Sequence, residues 1–128
     1  MPTKVLVSSL EVLMIFLKDC FEFPLEKNNV NMCVNKLTGI ALNNSTNKAV
    51  TLPIIGSLLT LRDKNMTATM NSFGVLDRQR LEVIRKLSRL YAPDLDENIQ
   101  EYITPVMKQG NFHDEELENK KKKFLTSS

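Results

Sequence analysis

Residues Lys36 to Leu61, KLTGIALNNSTNKAVTLPIIGSLLTL, decide the fold. Leu37, Ile40 and Ala41 recur at helical spacing before the polar break, and Ile54, Ile55, Leu58, Leu59 and Leu61 do so after it. Between them Asn43-Asn44-Ser45-Thr46-Asn47 consists of residues whose side chains compete for backbone hydrogen bonds and so favour turns and caps. Short helices draw most of their stability from burying an apolar face, so such a pair must pack on neighbours. The stretch predicts a helix pair inside a larger helical assembly, with Pro53 in the first turn of the second helix, where a missing N–H does no harm.

The same periodicity extends in both directions. Towards the N-terminus, Ser8-Ser9-Leu10-Glu11 has capping-box spacing, with Val7 and Val12 placed as a hydrophobic staple. The helix it would open carries Leu10, Leu13, Met14, Leu17 and Phe21 on one face and Val12, Ile15 and Phe16 on others; Phe23-Pro24 should end it. Asn28 or Asn29 can cap the next helix, which carries Val30, Cys33 and Val34. Towards the C-terminus, Met66 to Asn71 reads as a short helix ended by Gly74. Asp77 then caps a strongly amphipathic helix with Leu81, Val83, Ile84, Leu87, Leu90 and Tyr91 apolar, stopped at Ala92-Pro93. Asp94 and Glu97 suggest a further capping box, opening a helix with Ile99, Ile103, Val106 and Met107, kinked at Pro105 and closed at Gly110. Residues 1–110 are thus expected to form one helical domain, and 111–128 a charged helix or tail with Glu116–Lys120 and Glu118–Lys122 pairs. No segment alternates as a strand must. The fold class is all-α, a compact bundle of five to six helices.

Composition narrows the function classes. With 42% hydrophobic and 25% charged residues, the 128-residue chain has the make-up of a globular protein able to bury one core. A net charge of +2 calls for no polyanionic partner, so any electrostatic recognition must be local. Cys20 and Cys33 sit in apolar surroundings, as reduced buried thiols do, and the sequons at Asn43, Asn44 and Asn65 matter only in a secreted chain. Val5 to Leu17 is too short to span a bilayer and contains Glu11; no membrane association is expected, and an intracellular location is.

Residues 36–61 resemble an armadillo or HEAT-type helical repeat. Leu37, Gly39, Ala41 and Leu42 stand before the Asn-rich turn, and Pro53-Ile54-Ile55 with Leu58-Leu59 stand after it, as in such repeats. The resemblance implies stacked helix pairs. No second copy follows at a 40-residue offset, so a non-repetitive bundle stands as the alternative.

The chain offers little from which to build a catalytic centre. Its one histidine, His113, lies in Asn-Phe-His-Asp-Glu-Glu, where Asp114 and Glu115 suit a helix start as well as a metal. No phosphate-binding glycine loop or nucleophile elbow is present. We therefore expect no enzyme, cofactor, metal or small-molecule substrate. What remains is apolar excess: the first helix has more hydrophobic surface than one side of a small bundle needs. The expected function is a non-enzymatic interaction or scaffold module that binds a protein partner or its own copy through Met14, Ile15 and Phe16. The alternative is a nucleic-acid-binding domain using Arg78, Arg85, Lys86 and Arg89 of the basic helix 77–91.

Overall fold

The helical periodicity is realised in six helices among the described residues, with no strand. The computed structural model describes residues 2–19 and 26–109, with side chains through Thr104. The helices are α1 (Thr3–Asp19), α2 (Lys27–Asn43), α3 (Lys48–Lys64), α4 (Met66–Gly74), α5 (Arg78–Tyr91) and α6 (Pro93–Gln109). The expected end of α1 at Phe23-Pro24, Cys20 and Phe21, the closure of α6 at Gly110, and the 111–128 tail with His113 all lie outside the described residues.

The α2–α3 pair is the centre of the bundle. At 100° per residue, the buried residues of α3, from Val50 through Pro53, Ile54 and Leu58 to Leu61, cover more than half its circumference. It packs against α1, α2, α4 and α5. Helix α2 buries Val30, Val34, Leu37 and Ala41 and lies against α4 and α5, while α6 closes the far side against α4 and α5 with Leu95, Ile99 and Ile103. Among the described residues, no helix is long and apolar enough to cross a membrane.

Local chemistry explains the corners. Asn47 ends the polar turn as the N-cap of α3, its side chain accepting from the Ala49 N–H at 3.1 Å. Asn65 closes α3 with its own N–H on the Leu61 carbonyl (2.8 Å) and opens α4 by accepting from the Ala68 N–H (3.1 Å). Asp77 caps α5 as its position in the sequence predicts, accepting from the Arg80 N–H at 2.8 Å.

Several boundaries differ from expectation. Helix α1 opens at Thr3, where the Pro2 carbonyl accepts from the Leu6 N–H, so Ser8 and Glu11 lie on exposed mid-helix positions and form no capping box. Helix α2 begins at Lys27 after Glu26, without a side-chain cap, and Asn28 and Asn29 fall inside its first turn. Because Asn47 starts α3 so early, Pro53 occupies the second turn rather than the first. It removes the N–H that would reach the Ala49 carbonyl. Helix α6 starts on Pro93 itself, a residue preset for that position, so Asp94 is not a cap. Leu90, expected among the apolar residues of α5, is 63% exposed.

Candidate interaction surface

Helix α1 has two apolar sides. Its inner side puts Leu10 and Leu17 into the core, with Leu6, Val7 and Leu13 partly buried against α3. On its outer side Val5 is 51% exposed, Val12 66%, Ile15 55% and Phe16 46%. At 100° per residue, Val5, Ser8, Val12 and Ile15 fall within about 80° of arc, roughly opposite Leu10 and Leu17. A helix docked by one stripe ordinarily shows polar residues on the other, so this second stripe is an unexplained exposure of large side chains.

The structure divides the expected partner-binding trio. Ile15 and Phe16 face outward. Met14 is half-buried in the seam between α1 and α3: a Cβ built on Gly56 would lie 2.5 Å from the Met14 sulfur. The absence of a side chain at Gly56 is what lets the thioether cross α3 so closely. In its place Val5 and Val12 join the surface. The signal that could have found them is the 3-4-3 spacing of Val5, Ser8, Val12 and Ile15, a seam separate from the core-facing one.

The residues of the alternative site are distributed differently. Arg85 and Arg89 converge on Asp96 of α6, at 3.0 and 3.8 Å, and the Asp96 side chain is only 10% exposed. Arg78 pairs with Glu82 at 3.3 Å, and Arg80 with Asp77 at 3.0 Å while its guanidinium lies across Gly39. Lys86 is exposed. Most of the positive charge of α5 is therefore matched by carboxylates, and one of them, Asp96, joins α5 to α6.

A second ion-pair cluster ties α3 to α6. Arg62 donates to Asp94 at 2.9 Å and to the Asn98 side chain at 3.2 Å, and also pairs with Asp63. The hydrogen bond from Arg62 holds the Asp94 carboxyl below its ordinary range. Burial pushes the free Cys33 thiol up, away from a reactive thiolate. No group of three or more metal-ligating side chains is assembled among the described residues. One open cleft of about 380 Å³ is lined by Lys27, Asn28, Asn31, Asn71, Ser72 and Tyr102, among others, and there the Tyr102 hydroxyl donates to the Asn71 side-chain oxygen. Its lining combines amides and a phenol with the Lys27 amine and the Ser72 hydroxyl, and that hydroxyl is engaged in donating to the Ala68 carbonyl at 2.8 Å.

What fold and surface define is an all-α bundle of six described helices with one helix apolar on two sides. The chain matches no protein-family model, no curated protein and no solved structure.

Proposed function

We propose that this domain is a non-enzymatic protein-interaction module whose docking element is the outer side of α1. The observation that carries the reading is the exposure of Val5, Val12 and Ile15, each more than half open to solvent on one stripe, away from the core. Covering the exposed half of such side chains yields about 1 kcal/mol each, so the stripe with Phe16 supplies roughly 3–5 kcal/mol towards association. The partner is a protein surface with apolar side chains to match, on another protein or on a second copy. The paired arginines of α5 give the nucleic-acid alternative less support, since binding phosphate would have to compete with Asp96 for Arg85 and Arg89.

The test is substitution on the stripe. Ile15→Glu should leave helicity and the thermal midpoint near those of the wild type while removing association measured by analytical ultracentrifugation and by capture of a purified partner. If Ile15→Glu instead unfolds the domain, Ile15 is a core residue and the reading fails. It fails equally if association persists unchanged.

A further inference from the structure

We propose that Met14 is an oxidation site through which a hydroperoxide loosens α1 from α3. The proposal does not depend on what the outer side of α1 binds. It begins with how α1 is seated. Each of α2 to α6 packs against at least two of the others, whereas α1 rests chiefly on α3. A change in the α1–α3 seam is therefore felt first by α1. Met14 lies in that seam with its sulfur over Gly56, so close that a Cβ there would stand 2.5 Å from it.

Position singles Met14 out among the methionines whose side chains are described. Met32 and Met66 are exposed, so peroxide reaches them, but an added oxygen is hydrated where it stands. Met70 is enclosed in the core. Met14 meets both conditions for a switch: it is half-buried, so it borders solvent, and it is packed against a neighbouring helix. The free Cys33 is a poorer target for the same oxidant. Burial pushes its thiol up, and the thiolate is the form that reacts.

The step is a two-electron oxidation. A lone pair on the Met14 sulfur attacks one oxygen of hydrogen peroxide, an S–O bond forms and the O–O bond breaks. A proton passes between the two oxygens and water leaves; sulfur is oxidised and peroxide reduced. The product is a polar sulfoxide in an apolar seam, with Leu10 and Leu17 one turn to either side on the same face of α1. One turn along α3 from Gly56, the Thr60 hydroxyl already donates to the Gly56 carbonyl at 3.0 Å. The Ser57 hydroxyl has no hydrogen-bond partner but lies about 100° further round, towards the core. The sulfoxide therefore turns outward to water, and the space over Gly56, which α3 has no side chain to fill, is left open. That contact lies between Leu10 and Leu17, the buried anchors of α1, so its loss loosens both.

The experiment is a hydrogen peroxide titration of the full chain, as wild type and as Met14→Leu, a change of nearly equal volume that removes the sulfur. Peptide mass spectrometry gives the sulfoxide fraction at each methionine, circular dichroism the thermal midpoint, and amide hydrogen exchange the opening of α1. In the wild type the midpoint should fall by about 3–6 °C as Met14 sulfoxide accumulates, with exchange rising in α1 before the other helices. A pair of methionine sulfoxide reductases, one for each epimer, should restore it. Met14→Leu should keep its midpoint while Met32 and Met66 are oxidised as in the wild type. The proposal is overturned if Met14 stays reduced when Met32 is fully converted, or if Met14→Leu loses as much stability as the wild type. It is overturned equally if complete oxidation of Met14 moves the midpoint by less than about 1 °C. Should Met14→Leu not fold, the wild-type time course decides: a midpoint that follows the Met32, Met66 or Met70 fraction rather than the Met14 fraction overturns it.

Discussion

Placing Met14 in the α1–α3 seam can be tested by coupling it to Gly56. Replacing Gly56 with alanine should gain about 1 kcal/mol from helix propensity, since glycine inside a helix is that much worse than alanine. In the wild type the new Cβ would stand 2.5 Å from the Met14 sulfur, well inside van der Waals contact, so the thioether must swing out of the seam. Because the obstacle is the end of a flexible, half-buried side chain that has room to move, displacing it costs about 1 kcal/mol, the low end for overpacking, which roughly cancels the gain. With Met14→Ala already in place the obstacle is gone and Gly56→Ala should stabilise by the full propensity term. Urea unfolding of the four proteins closes a double-mutant cycle. The expected coupling is about 1 kcal/mol, with Gly56→Ala more favourable in the Met14→Ala background than in the wild type. Additivity within about 0.5 kcal/mol would show that Met14 does not cross Gly56 in solution, and Met14 would return to the exposed surface.

Two further outcomes follow from the ion pairs. Asp96→Ala leaves Arg85 and Arg89 facing a site without its carboxylate and should cost about 1–3 kcal/mol in chemical denaturation, less than a fully buried pair because Arg85 is partly open to solvent; a change under about 0.5 kcal/mol would mean the pair is only a surface contact. Asp94 has its native pKa lowered by the hydrogen bond from Arg62, so the stability it adds is present above its ordinary value of 3.8 and disappears as pH falls through the lowered native value. Wild type should therefore exceed Asp94→Asn in thermal midpoint at neutral pH and lose that margin only under strongly acidic conditions; a margin that instead grew on acidification would refute the assignment.

The fold class was legible because apolar periodicity depends only on which residues seek the core. Leu10, Leu17, Val30, Val34, Leu37, Ile54, Leu58, Ile84 and Ile99 all fall on predicted core faces and are all buried. Boundaries were legible only where one side chain has no competitor. Asp77 could cap α5 and does, whereas Asp94, equally suited on paper, is drawn to Arg62 thirty-two residues earlier in the chain. Helix α4 was the hardest stretch for a physical reason. Thr69 and Ser72 are polar residues that give no sign of facing the core, yet both are buried, because each hydroxyl donates to the carbonyl four residues back and satisfies itself within the helix. That concealed Phe73 as a core residue, although it is among the largest fully buried side chains. The candidate surface was half legible. An excess of apolar residues in α1 shows in composition, but which of them face outward depends on α3 and on the gap at Gly56, and neither is local to α1.

The shared cap at Asn65 divides the molecule into places where the chain can be opened and places where it cannot. One residue ends α3 and begins α4, so the connection has no slack: an inserted residue would remove a carbonyl's partner on one side or an amide's acceptor on the other. Between α2 and α3 the turn at 44–46 exposes Ser45 and Thr46, and chain added there would project into solvent at the cost of one turn hydrogen bond, from the Asn47 N–H to the Asn44 carbonyl, while the Asn47 side chain could keep its cap on Ala49. For an engineer wishing to split, permute or tag this protein, the corner at Ser45–Thr46 is a seam, and the corner at Asn65 is a weld.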